Sequence, residues 1–191
     1  MLRYVQLVVA CTVLGIGVAF LLEAALGSDG YSSLVSGLTI ATGGPFWVLN
    51  IVVGAAFIGM AWARGTRPGP GTVVQWFLVG IVISGVMTLV PPVDSWAGRI
   101  GSLALAFVLI AVGVAGYLAS NTGAGPAEAA AIAWDPPVPF RWSYSIVQGG
   151  GALVGWLLGA AIGPGTILII LLLGPVVDLL RRSLPVMERP R

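Results

Sequence analysis

Six apolar runs set the terms for any fold this sequence can take: residues 4–26, 46–63, 72–90, 100–119, 143–161 and 165–180. Most approach or exceed the ~17–25 residues that an α-helix needs to cross about 30 Å of hydrocarbon. The whole chain is 58% hydrophobic and only 8% charged, against roughly 25% charge in soluble domains. The sequence therefore predicts an all-α, polytopic membrane protein with about six transmembrane helices. Its first partner is the lipid bilayer, and nucleic acid is not among its partners.

The opening run begins Met1-Leu2-Arg3. It is too long for the apolar core of a signal peptide and lacks a clear small-x-small cleavage site, so it reads as a retained first helix. The single cysteine, Cys11, lies inside that helix, so no intramolecular disulfide can form. The chain has no histidine, the commonest metal ligand and proton shuttle. No metal or cofactor is expected. No P-loop, dinucleotide, hydrolase or zinc signature occurs, which argues against an enzyme and leaves only a metal-free, carboxylate-based one open.

Arginine placement predicts orientation. With the N-terminus in the cytoplasm, Arg3, Arg64, Arg67, Arg141, Arg181, Arg182, Arg189 and Arg191 lie inside and Arg99 alone lies outside. That is the positive-inside bias, and it puts both termini in the cytoplasm of a multi-pass plasma-membrane protein. Trp47, Trp62, Trp96 and Trp142 fall near span ends, where interfacial aromatics belong. Two connections, 27–45 and 120–141, are too long for simple turns and could each hold a short interfacial or re-entrant helix. Ser28 or Asp29 can N-cap the first, and Pro126 suits the first turn of the second.

The chain also repeats itself. A shift of 96 residues aligns Gly17-Val18-Ala19 with Gly113-Val114-Ala115 and Gly27 with Gly123. A shift of 94 aligns Phe46 with Phe140, Trp62 with Trp156, Pro70-Gly71-Thr72 with Pro164-Gly165-Thr166, and Gly80 with Gly174. The change of offset falls in the long connections, where insertions are tolerated. Residues 1–95 and 96–182 thus read as two three-helix repeats, followed by a cytoplasmic tail, 183–191. Three spans is an odd number, so the second repeat enters the membrane from the opposite side. This inverted arrangement is common in secondary transporters. The two Pro-Gly-Thr phrases read as tight, capped reversals between helices. A second reading has them dip into the membrane and offer helix N-terminal amides to an anion.

Several stretches carry a family resemblance: Gly15-Ile-Gly-Val-Ala19, Leu26-Gly27, Gly125-Pro126-x-Glu128, and Gly155-Trp-Leu-Leu-Gly159 through Gly163-Pro-Gly-Thr166 to Gly174-Pro175. Through them the sequence resembles the YczE/YitT-like family of small bacterial integral membrane proteins. The resemblance implies a fold and a bacterial inner-membrane location more than an activity. The family pattern carries an Asp where this chain has Glu128, which keeps the carboxylate. It carries a Pro-aromatic pair after the first Leu-Gly, where this chain has Gly30-Tyr31. It carries an Arg and a Glu early in the fifth span, where this chain has Tyr144 and Gln148.

Ionisable groups at lipid depth are costly, so the few present are informative. Glu23 can snorkel to the interface, and Asp178 can pair with Arg181 or Arg182 one turn on. Asp29 and Glu128 follow Gly27 and Gly123 by two and five residues, so they fall near each other in the repeat register. They can cap their own helices, or face a cavity and hold a cation or an amine. Asn50, Gln75 and Gln148 are uncharged polar residues within spans. Such residues usually make interhelical hydrogen bonds and less often line a cavity. Together with Tyr31 they complete the candidate substrate site: Asp29, Tyr31, Asn50, Gln75, Glu128 and Gln148. The leading expectation is a transporter of a small molecule or ion with its site between the repeats. The alternatives are a non-catalytic scaffold or accessory protein, and a substrate-capture subunit of a larger transporter. A homo-oligomer is compatible with each.

Overall fold

The computed structural model describes residues 1–90 and 93–183, and among these it is helical, with no strand. The expected tail, with Arg189 and Arg191, and the side chain of Trp47 lie outside the described residues. In chain order the helices are α1 (Leu2–Ala24), α2 (Gly30–Thr42), α3 (Phe46–Ala63), α4 (Pro70–Leu89), α5 (Trp96–Ala119), α6 (Pro126–Ile132) and α7 (Phe140–Leu157). A continuous helical stretch then runs through α8 (Pro164–Leu168), a π-helical segment (Ile169–Leu173) and α9 (Gly174–Ser183).

Among the described residues, four helices are long and apolar enough to cross a membrane: Leu2–Ala24, Pro70–Leu89, Trp96–Ala119 and Pro164–Ser183. The six-span expectation is met only to that extent. The apolar part of α3, Val48–Ala63, is shorter. The 18 residues of α7 include Arg141, Ser143, Tyr144, Ser145 and Gln148, which dilute its apolar character. Both long connections hold the short helix expected of them, α2 in one and α6 in the other. The outer faces of the long helices are apolar. Val5, Val8 and Val9 of α1, and Val73, Phe77 and Ile81 of α4, are exposed. On a water-facing surface so large an apolar area would be a liability, and against lipid tails it is the required finish.

The chain divides into two compact units. The first comprises Met1–Ala25, Pro68–Gly125 and the residues from Pro175 onward. Its centre is the crossing of α1 and α5, where a β-carbon on Gly17 would lie 2.9 Å from the Ile110 amide nitrogen and one on Gly113 would lie 2.7 Å from that of Leu14. Leu14 and Ile110 are themselves 96 residues apart, as are Gly17 and Gly113, so each helix presents the same glycine to the same position on the other. Lipid tails are as apolar as leucine, so helices in a bilayer gain by close backbone approach rather than by burial alone. Gln6 adds a bond across this crossing, its Nε2 donating to the Gly116 carbonyl at 2.9 Å. Gly15 sits against Val82 of α4.

The second unit comprises Leu26–Arg67 and Pro126–Gly174. Here α2 lies along α7 with Gly30, Ser33 and Gly37 facing Gln148, Gly151 and Gly155, close enough that a β-carbon on Gly30 would overlap the Gln148 carbonyl oxygen. Arg64, at the end of α3, donates from Nε to the Ala133 carbonyl at 2.9 Å and stacks 3.8 Å over the Trp134 ring. Asp135 then accepts the Phe140 amide at 3.1 Å and caps α7 from outside the helix.

Both Pro-Gly-Thr phrases bond to a distant loop carbonyl. Within the first unit the Gly71 N–H donates to the Thr122 carbonyl at 3.0 Å, and within the second the Gly165 N–H donates to the Leu26 carbonyl at 2.8 Å. These are the same pair of positions, since 71 and 165 differ by 94 and 26 and 122 differ by 96. The receiving strand of backbone is also the same. Ala25 and Asn121 have φ of 50° and 51°, followed by Gly27 at 100° and Gly123 at 135°. Gly65 and Gly159, further along, have φ of 94° and 99°. One difference stands out. Thr72 Oγ1 accepts the Gly69 N–H at 3.1 Å, whereas Thr166 Oγ1 is buried without a partner among the described residues.

Candidate functional site

The site is built outward from the first turn of α2. Asp29 is its N-cap, and Oδ2 accepts the Ser32 N–H at 3.0 Å, so the capping role expected of a residue here is met. Desolvation outweighs that hydrogen bond and holds the Asp29 carboxyl above the ordinary carboxylate range. The next free amide of the turn, the Tyr31 N–H, donates to Gln148 Oε1 of α7 at 2.9 Å. A backbone N–H can donate only to the oxygen of a side-chain amide, which fixes how Gln148 is turned. Its Nε2 then faces the other way and donates to the Tyr144 hydroxyl at 2.8 Å.

Tyr144 in turn hydrogen-bonds the Glu128 carboxyl from α6. The result is a directed relay from Tyr31 N–H to Gln148, from Gln148 to Tyr144, and from Tyr144 to Glu128. Every donor points toward the carboxylate, so each bond polarises the next. Glu128, Tyr144 and Gln148 are 6%, 2% and 2% exposed, which makes this a buried polar core and not a surface patch. Tyr31 closes the other flank. Its hydroxyl donates to the Asn50 carbonyl of α3 at 3.0 Å, and its ring packs 5.7 Å from Phe57. Both tyrosines lie within the electrostatic reach of Asp29 and Glu128.

Five of the six expected site residues therefore belong to the second unit. Asp29, Tyr31, Glu128 and Gln148 contribute side chains, and Asn50 contributes its backbone carbonyl. Gln75 does not join them. It belongs to the first unit, where it is buried and Gly125 lies against its amide group. Tyr144 was not among the expected site residues, although it stands four positions before Gln148, the spacing that puts two side chains on one helical face. Asp178 makes the pair expected of it, at 2.8 Å to Arg182.

The turns take a structural part. Pro70 and Pro164 occupy the first helical position after Gly69 and Gly163, where a missing N–H costs nothing. The amides that could have met an anion are already used: Gly71 and Gly165 bond the distant carbonyls, while Thr72 and Thr166 bond Gly69 and Gly163. The anion-site reading thereby loses its donors. The capping expected of such a reversal is present at Thr72, and each phrase is in addition joined to backbone that follows another helix.

Residues 1–182 match Family of unknown function (DUF6198). The chain is 31% identical over 142 residues to "Uncharacterized membrane protein YczE" of Bacillus subtilis, covering 71% of this chain and 63% of that protein. It is 25% identical over 176 residues to "Uncharacterized protein" of Haemophilus influenzae, covering 90% of this chain and 80% of that one. The chain thus spans less than two thirds of the Bacillus relative's length. No solved structure matches significantly.

Proposed function

The chain belongs to the DUF6198 family of YczE-like membrane proteins, and from that premise we propose that it is a multi-pass transporter of a cation or an amine-bearing small molecule. Its halves are inverted repeats, and both termini are cytoplasmic. The observation that carries the reading is the buried relay from Tyr31 through Gln148 and Tyr144 to Glu128, with Asp29 beside it. In a chain with 8% charged residues, two carboxylates held among aromatic and amide side chains are an expensive arrangement. Carboxylates favour positively charged ligands, and aromatic rings at the same place add cation–π attraction. The repeat reading draws support from the recurrence of the same glycine contacts and the same left-handed backbone at both offsets.

Asp29→Asn and Glu128→Gln test the site. Each replaces a carboxylate by its neutral isostere, which removes one charge-assisted contact and leaves the volume intact. Purified protein in proteoliposomes is expected to lose roughly tenfold or more of its uptake or binding with either change. The screen would use protons, alkali cations and small amines. Unchanged flux in both variants would remove the site assignment. Topology has its own test: a reporter fused after Arg67 should read cytoplasmic and one fused at Asp94 external. The reverse pattern would overturn the inverted arrangement.

One observation favours a second reading, that of a membrane scaffold or accessory protein. The polar groups of Tyr31, Gln148 and Tyr144 are spent on one another, as in an internal clasp. That reading predicts co-purification of a defined partner and no stabilisation by any cation or amine.

A further inference from the structure

The two halves of this chain share a phrase and then part company in one residue. Pro70-Gly71-Thr72 is followed by Gly80 and Ile81, and Pro164-Gly165-Thr166 is followed by Gly174 and Pro175, each pair 94 residues apart. After the first phrase the helix is α-helical from Pro70 to Leu89. After the second, α8 gives way at Ile169–Leu173 to a π segment before α9 begins at Gly174. Proline has no N–H and its ring crowds the carbonyl one turn earlier, so a continuous α-helix through position 175 is disfavoured. A π segment widens the turn just ahead of it and accommodates the missing donor.

The break is held at both ends. At its N-terminal side the Gly165 N–H is bonded to Leu26, and at its C-terminal side Gly174 lies so close to α7 that a β-carbon there would stand 2.5 Å from the Arg141 carbonyl oxygen. Gly80, the counterpart of Gly174, has no atom within 4 Å of the same point. The chain also passes from the second compact unit into the first at the Gly174–Pro175 peptide. We propose that Ile169–Leu173 with Gly174–Pro175 is a hinge in the last span, where the helix shifts between π and α register, and that α4 has no such hinge. The proposal does not depend on the transport reading.

Amide hydrogen exchange on the intact protein in lipid nanodiscs tests it. Peptides covering 169–174 are expected to exchange roughly tenfold faster than those covering the equivalent 75–80, since hinge opening breaks backbone bonds that α4 keeps. Burial works against this outcome, because α4 buries a smaller share of its length than the last span. Pro175→Ala restores the donor and is expected to bring 169–174 down to the α4 rate. Equal rates in the wild-type protein overturn the proposal, as does a difference that survives Pro175→Ala. Should that variant fail to fold, the wild-type comparison decides alone.

Discussion

Gly30→Ala is expected to destabilise the protein by ~3 kcal/mol or more, the upper end of overpacking costs plus a lost interhelical hydrogen bond. The added methyl would overlap the Gln148 carbonyl oxygen and stand 2.7 Å from its Cα. Those are backbone atoms of α7, so no rotamer change relieves the contact and the two helices must separate. Separation breaks the Tyr31 N–H bond to Gln148 Oε1 and opens the Gly37–Gly155 and Ser33–Gly155 approaches along the same crossing. Gly59→Ala and Gly85→Ala provide the control, because no atom lies within 4 Å of either new β-carbon. Both are expected to be neutral or to stabilise by up to ~1 kcal/mol through better helix propensity. Thermal or detergent unfolding of the purified variants measures the difference. Equal stability of Gly30→Ala and Gly59→Ala would mean that α2 and α7 do not cross at Gly30.

Gly27→Ala and Gly123→Ala are each expected to lose about 2–4 kcal/mol, combining backbone strain with overpacking. Their φ values of 100° and 135° lie where a β-carbon is poorly tolerated. The space is also taken: an alanine at 27 would stand 2.7 Å from the Gly163 amide nitrogen, and one at 123 would stand 2.9 Å from that of Thr72. Each glycine is therefore the seat on which a Pro-Gly-Thr joint rests. Because the two joints use the same positions, the two losses should agree within about 1 kcal/mol, the usual spread of such measurements. A large loss at one and none at the other would show that the joints are not equivalent.

Much of this joint was legible beforehand. The offsets of 96 and 94 are read directly from Gly27 and Gly123 and from the two Pro-Gly-Thr phrases, and the Gly71–Thr122 and Gly165–Leu26 bonds are related to each other by those same offsets. The local signals also carried through. Asp29 caps α2, Pro126 opens α6, and Asp178 pairs with an arginine one turn on, because capping and i,i+4 pairing depend on neighbours within a few residues. The site was legible only in part. Asp29, Glu128 and Gln148 stand out as polar residues in apolar surroundings and Tyr31 through the family's aromatic position, while Tyr144 does not, since a tyrosine in a membrane helix is ordinary. Gln75 met the same polarity criterion, yet it packs in the other unit.

The helical class, the lengths that reach across a membrane, the duplicated turns and the residues too polar to sit idly in lipid can be read from the chain without its partners. Each follows from free energies that single residues or short windows carry: transfer to hydrocarbon, helix capping, the missing amide of proline. Which helices touch follows from packing between distant segments. Gln148 becomes a partner of Tyr31, 117 positions away, because glycines at 30, 151 and 155 let α2 and α7 approach to backbone contact. Contacts between distant segments are set by how whole helices fit together, and that fit is a property of the packed molecule rather than of any stretch of its chain.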